Sequence, residues 1–294
     1  MLTIAPRANL SAFIKRLWVS NSVGQSAGTR EHVLPTGQMH LVFRLSGPPL
    51  RVFQDAGDRL GATFAGPVLG GARAGFYVKE VGAPVLSVGV QLLPGAAQAL
   101  FGVSAAELAG RHTPLSDLLG GHADSMLQQL CEQSDPARQL VRLESLLAAR
   151  LPRVHGLHPG VAEILGKFEH AARVEDMVRE SRYSHRGFIA LFRQATGLSP
   201  KRYARLMRFQ QLIAALRGAP AESLSELALA AGYSDQAHMN REFREFAGVT
   251  PLQYRSLAPG AAHHVAVQSQ FSSRPAARRG LQSGHQPPGE NHDP

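Results

Sequence analysis

The sequence predicts an α+β chain: a small antiparallel β-barrel or sandwich with attached helices, then an all-α unit made of two helix-turn-helix repeats. Three observations carry this. Strand-like runs separated by Gly and Pro fill residues 38 to 94, helical periodicity follows from residue 104, and one helical pattern occurs twice, 51 residues apart.

The early runs are Met39 to Leu45, Arg51 to Gln54, Ala62 to Val68, Phe76 to Lys79 and Val85 to Leu93. Gly47-Pro48-Pro49, Gly57, Gly70-Gly71 and Gly82 to Pro84 punctuate them, which suits a compact antiparallel sheet protein. Helices come next. Ser104 with Glu107 spells a capping box, and Asp135-Pro136 is an N-cap and N1 pair opening a helix to about Leu151. Leu140, Leu143, Leu147 and Leu151 share one face of that helix, either a dimer seam or a stripe docked on the barrel.

In the later half, Phe192, Gly197, Pro200 and Tyr203 recur as Phe243, Gly248, Pro251 and Tyr254. Upstream of the second set, Leu224, Leu227 and Ala228 form the apolar face of a helix that Gly232 stops. Ser234 or Asp235 then caps a second helix, which buries Met239, Phe243 and Phe246 and turns Gln236, Ala237, His238, Asn240 and Arg241 largely elsewhere. Val174, Met177, Val178 and Phe188 are the matching apolar positions of the first copy, Ser184 is its N-cap, and Arg182 stands where the second copy has Gly232. A helix pair of this kind places its second helix in the major groove of DNA.

The stretch GYSDQAHMNREFREFAGVTPLQYR resembles the signature of the AraC/XylS family of bacterial transcription regulators, and the likeness extends over about 160 to 257. The resemblance implies two helix-turn-helix units joined by one long helix, here about Lys201 to Leu216, a strut of roughly 24 Å at ~1.5 Å per residue. It also implies base-facing positions: Gln236, Ala237 and Arg241 in the second recognition helix, and Arg186, Ile189 and Ala190 in the first. Arg suits guanine and Gln suits adenine, whereas Ile and Ala offer only contact with a thymine methyl. Phosphate or secondary contacts are expected from Ser184, His185, Arg193, Lys201, Arg202, Arg205, Asp235, His238 and Asn240, with Arg208 and Arg217 completing the basic row along the strut. For His238, a structural hydrogen bond fixing the turn is an equal reading.

The same resemblance reaches the N-terminal half through Leu34-Pro35-Thr36-Gly37 and implies a cupin-like sensor barrel. The expected domains are 1–155, sensing or dimerisation; 159–257, DNA binding; and 258–294, a disordered tail rich in Gly, Pro, Ser, Gln and His. A small, mostly apolar effector lined by residues such as Phe43, Phe53, Phe64 and Phe76 is one expectation, and a barrel without ligand is the other. The contrasting reading is a cupin-like metal-dependent enzyme barrel fused to a DNA-binding module, with Glu31, His32 and His40 as the nearby ligand types. Their spacing does not follow the cupin metal pattern, so no catalytic residue, metal or cofactor is assigned, and His263, His264, His285 and His292 are read as scattered tail histidines.

The chain has 294 residues and a net charge of +9, with the basic excess shared between its halves. Its single cysteine, Cys131, excludes an internal disulfide and is expected to be a buried structural thiol. No apolar run approaches the ~18 residues of a membrane span, and no leader pattern opens the sequence. The expected protein is soluble and cytoplasmic, on the nucleoid when bound, with double-stranded DNA as partner and an effector, RNA polymerase and a second copy as further candidates.

Overall fold

The computed structural model describes residues 1–24, 28–55, 57–151, 183–218 and 222–266. Nine strands come first: β1 Leu2–Ile4, β2 Ile14–Ser22, β3 Arg30–Val33, β4 Met39–Ser46, β5 Leu50–Phe53, β6 Ala62–Phe64, β7 Val68–Gly70, β8 Tyr77–Glu80 and β9 Val85–Leu92. Helices α1 (Ala96–Phe101) and α2 (Ala105–Leu108) lead to strand β10 (His112–Pro114), and α3 (Leu115–Leu119), α4 (His122–Cys131) and α5 (Pro136–Ala148) complete this half. The C-terminal half contributes α6 (His185–Thr196), α7 (Pro200–Gly218), α8 (Leu224–Ala230), α9 (Gln236–Ala247) and α10 (Pro251–Leu257), followed by strand β11 (His264–Ala266).

The strands form two open antiparallel sheets, ordered β1-β2-β9-β4-β7-β10 and β11-β3-β8-β5-β6, rather than a closed barrel. Of the two expected architectures, the sandwich is the one present. The run Ala62 to Val68 is two strands, because Gly66-Pro67 cannot continue a ladder. In the first sheet, Leu41 and Phe43 lie beside Val90 and Val88 of β9, which in turn pair with Leu17 and Val19 of β2. Alternation sends this set to one face, where α4 and α5 cover it, and the alternate residues His40, Val42 and Arg44 to the other, toward the second sheet.

Leu140, Leu143 and Leu147 are fully buried against this sheet, so the leucine face of α5 docks on the sandwich. Asp135 caps α5 by accepting from the Ala137 amide at 2.9 Å, with Pro136 at N1. Cys131, expected inside, is exposed instead. It ends α4 one residue past buried Leu130, and the ~100° step per residue carries it out of the apolar stripe.

Sandwich and helical module share one continuous core, which runs from Leu10 through Phe43 and Phe209 to Val265. The Leu34–Gly37 loop lies on α7: the Pro35 carbonyl accepts from Gln210 at 2.6 Å, and the Cβ direction of Gly37 meets Leu206. Residues 258–266, assigned to the tail by composition, are built into this interface. β11 adds to the edge of β3, His263 donates to the Gln210 side-chain oxygen at 2.6 Å, and the Tyr254 hydroxyl donates to the Ala262 carbonyl. Buried Val265, an unfilled sheet edge and these hydrogen bonds hold a three-residue strand in place, a pairing that a compositional reading cannot see. Residues 267–294, including His285 and His292, lie outside the described residues.

Gly248 closes this interface. Its φ of 72° is left-handed, and an added Cβ would stand 2.7 Å from both the His32 and Phe76 rings. Gly248→Ala should therefore lower stability by more than the ~1–2 kcal/mol of left-handed strain alone, read as a fall in the urea midpoint. An unchanged midpoint would mean that the ring pair does not pack there.

Burial of imidazoles in the sandwich and in the segment that returns to it gives a pH dependence. Burial first, then neighbouring positive groups, lower the pKa of His40 to about 4, of His112 to about 3 and of His263 to about 4. Unfolded, these groups titrate near 6.5, so below that pH the unfolded chain binds more protons. Stability present above pH ~6.5 is lost as pH falls toward 4, by up to about 1.4 kcal/mol per pH unit for each histidine. Glu31 is silent in this window. Burial raises its pKa, but His264 and Lys79 outweigh that and hold it at about 2, so its contribution disappears only as pH falls from ~4.5 toward 2. Urea titrations should show a lower midpoint at pH 5 than at pH 7; equal midpoints would show that the folded protein already carries these protons.

Candidate DNA-binding surface

The second helix-turn-helix and the second helix of the first are fixed by local chemistry. Ser223 and Glu226 form a reciprocal capping box at the start of α8, and Gly232, at φ 78°, turns the chain after it. Asp235 then caps α9, its carboxylate accepting from the His238 amide at 2.6 Å. Gly248 and Gly197 end α9 and α6 in the left-handed conformation, and Ser184 caps α6 through the Gly187 amide. The duplicated Gly-x-x-Pro-x-x-Tyr ending therefore has a physical cause: a glycine C-cap, a proline at the start of the next helix, and a tyrosine one turn later in the core.

The second helix of the second unit presents a clear outer face. Met239, Phe243 and Phe246 are fully buried, Phe243 and Phe246 with ring centres 5.1 and 5.0 Å from Phe209 of α7. Ala237 and Arg241, one turn apart, are exposed side by side, with Gln236 and Asn240 half-buried at the margin. Arg241 has no hydrogen bond or ion pair among the described residues, and its charge is one of the smaller influences holding the Asp235 carboxyl low, after the His238 amide and Ser234. Gln236 accepts from the Ser225 hydroxyl at 2.8 Å, which ties its side chain to the first helix of the unit and fixes its direction.

Four expected contact residues have structural duties. His238 shares a hydrogen bond with the Ser234 hydroxyl at 3.1 Å and stands edge-on to Tyr233, so it holds the turn. Arg205 is directed inward to Glu242 at 2.7 Å and also pairs with Glu245, while its guanidinium lies over Phe246. Arg208 binds the same Glu242 at 3.1 Å, reaches the Gly232 carbonyl and covers Tyr233. Arg217 donates to the Pro259 carbonyl. Arg205 and Arg208, in the middle of the basic row along α7, thus form an internal clamp, while Lys201 and Arg202 at its start and Arg217 at its end are exposed. Sequence reading missed the clamp's centre, Glu242, which is 3% exposed. The available signal was a pair of acids, Glu242 and Glu245, on a helix packed against a strut whose charges are all basic.

In the first unit, His185, Arg186, Ala190 and Arg193 are exposed on α6, while Ile189 is half-buried against the core. The C-terminal end of α6 packs on α1 and α2, and the Gly95 amide donates to the Ala195 carbonyl at 2.9 Å. The expected first helix of this unit, with Val174, Met177 and Val178, and the turn position Arg182 lie outside the described residues. The strut itself spans 19 residues, about 28 Å in length.

Glu31, His32 and His40 do not converge. Neighbours on a strand face opposite ways: Glu31 is held by Lys79 and His264 at 2.8 and 2.6 Å, whereas His32 donates to the Ala247 carbonyl and stacks on Phe76. Among the described residues no group of three or more His, Cys, Asp or Glu is placed to hold a metal ion, and no helix is long and apolar enough to cross a membrane.

Comparison with known proteins agrees with the geometry. Residues 177–256 match a family model described as a helix-turn-helix domain, and residues 2–114 match one described as a domain of unknown function, DUF6597. An uncharacterized HTH-type transcriptional regulator of Haemophilus influenzae is 28% identical over 99 residues, 34% of this chain and 33% of that protein. The HTH-type transcriptional regulator MtrA of Neisseria gonorrhoeae is 27% identical over 95 residues, 32% and 31% of the two chains. The chain spans about a third of the length of these curated relatives. Among solved structures, ToxT of Vibrio cholerae is similar over 83% of this chain and 99% of its own, at 9% identity and a TM-score of 0.44. Over residues 177–256 the chain carries an AraC-type helix-turn-helix domain.

Proposed function

We propose that this protein is a sequence-specific DNA-binding transcription regulator whose N-terminal sandwich takes an effector that adjusts how the helical module meets DNA. The observation that carries the reading is the outer face of α9: Arg241 and Ala237 are exposed, Arg241 with no hydrogen bond or ion pair among the described residues, while Arg205 and Arg208 are held on Glu242 in the clamp beneath. A bidentate donor on a rigid helix is what direct reading of guanine needs. Gln236 and Asn240 flank it as adenine readers, and Arg186 with Ala190 is the corresponding exposed pair on α6, Ile189 serving mainly the core. His185, Arg193, Lys201 and Arg202 supply phosphate contacts, with the capped helix starts at Ser184 and Asp235 close to the backbone.

Effector control is supported by the shared core and by the strand that returns to β3. Both tie the sandwich to α7 and α10, so a change in the sandwich has a packed path to the module. An effector acts by favouring one arrangement of these bodies over another. A second copy of the chain and RNA polymerase are the further partners that such a regulator implies.

The experiment is selection of sheared genomic DNA by the purified protein at near-physiological salt, followed by sequencing. A recurring motif is expected. Retention that disappears with added salt and yields no motif would leave the module as an anchor and defeat the reading.

A further inference from the structure

The space between the two sheets is not a plain apolar core. From the first sheet, Val42 and Arg44 face it, and pairing continues that face through Gly89 and Ser87 to Trp18. From the second, Leu50, Val52, Phe64 and Tyr77 pack with Val42 and Val68 into a small cluster separate from the main core. Beside this cluster sits a group of polar side chains that the DNA-binding reading does not use. The His112 ring lies 4.7 Å from Tyr77 and 5.7 Å from Phe64, edge-on and tilted. Arg73 donates to its Nδ1 at 3.0 Å, with the guanidinium carbon 5.0 Å from the Tyr77 ring centre. Among the described residues Arg44 donates only to the Pro48 carbonyl, at 2.7 Å.

No carboxylate answers these two guanidiniums among the described residues. The acid on the same face of the second sheet, Glu31, is already neutralised by Lys79 and His264. Nε of Arg73 is buried without a hydrogen-bond partner. Yet Arg44, Arg73, Tyr77, His112 and Phe64 all keep part of their exposure, so the space between the sheets is open rather than filled. A cavity of about 240 Å³, lined in part by Phe64, Pro67, Pro114, Ser116 and Asp124, lies at the edge strands β6 and β10 next to this group. Placing two cations in a half-dry space against apolar walls costs stability unless an anion joins them.

We propose that the space between the sheets binds a small organic carboxylate, its apolar body against Tyr77, Phe64 and Val42 and its carboxylate on Arg44 and Arg73. Guanidinium groups match a carboxylate in geometry as well as charge, which distinguishes this site from a general basic patch. Burial lowers the pKa of both arginines and, with Arg73 adding to it, that of His112, as expected where positive charge is desolvated and unanswered. The inference rests on the reading of the sandwich as the effector-binding part, and it replaces the mostly apolar ligand expected from the phenylalanines. Of those four, only Phe64 faces this space: Phe43 belongs to the helix-covered face, Phe53 lies under the Arg30 guanidinium, and Phe76 stacks on His32.

Trp18, the single tryptophan, lies on the same sheet face and reports binding by its fluorescence. Octanoate and benzoate, titrated into the full-length protein, should give saturable changes, whereas octanol, benzamide and inorganic phosphate should bind at least tenfold more weakly. Arg73→Met and Arg44→Met should each weaken octanoate binding at least tenfold, and Arg241→Ala should leave it unchanged. Equal response to octanoate and octanol, phosphate binding as well as octanoate, or no saturable response to either carboxylate would overturn the proposal in the unmodified protein, whatever the variants do to folding. A DNA motif recovered in the genomic selection alongside any of those results would overturn the ligand class and leave the DNA-reading assignment standing.

Discussion

Arg241→Ala is expected to reduce binding to the selected motif by about 1–3 kcal/mol and to relax preference at one base pair. The side chain is exposed, joins no hydrogen bond or ion pair among the described residues, and lies opposite the buried face of Met239 and Phe243, so its removal should not unfold α9. On the proposed reading, the substitution removes a pair of hydrogen bonds to one base together with one positive charge near the backbone. Lys201→Ala is the informative contrast. It removes an exposed charge at the start of α7, should weaken all sequences alike, and should reduce the slope of log affinity against log salt by about 1. Competition with a single-base-substituted site separates the two. If Arg241→Ala loses as much affinity for the substituted site as for the original, it contacts phosphate and the base-reading assignment fails.

The helical half was largely legible because its signals are local. Caps at Ser184 and Asp235, left-handed glycines at 197, 232 and 248, and aromatic spacing at Phe243 and Phe246 each follow from neighbouring residues, whereas the Ser223 cap was overlooked. The roles of Arg205 and Arg208 were not legible, because they depend on partners more than thirty residues away. From sequence, a row of basic residues on a strut reads as a phosphate track; in the fold, one buried acid turns part of that row inward. The N-terminal half was harder for a similar reason. Strand β2 has a clear buried set at Ile14, Leu17 and Val19 but carries a register shift between Ile14 and Arg16, which breaks the simple alternation. Strands β1, β10 and β11 are three residues each and exist because an edge was available, information that lies in the sheet rather than in their own residues.

Glu242→Ala should be among the most damaging single changes in the helical module, at about 3 kcal/mol of stability. The carboxylate is 3% exposed and accepts from both Arg205 and Arg208, which are 28% and 27% exposed. Removing one partner of a buried pair leaves the others desolvated and unanswered, a cost of ~3–5 kcal/mol for a fully buried pair. The partial exposure of the two arginines, and Glu245 remaining beside Arg205, place the expected value at the lower end. Glu242→Gln keeps the shape and one acceptor oxygen but replaces the other with a donor and carries no charge, so it should lose less than alanine does, about 1–2 kcal/mol. The consequence for DNA follows from geometry. With the acid gone, Arg205 and Arg208 are released toward solvent, and the helix that presents Arg241 loses its tie to α7. Non-specific affinity should therefore rise or hold while motif preference falls, measured at a temperature where both variants remain folded. If Glu242→Ala melts like the parent protein and keeps its preference, the clamp does not fix the recognition helix, and the packing of Phe243 and Phe246 on Phe209 alone sets its position.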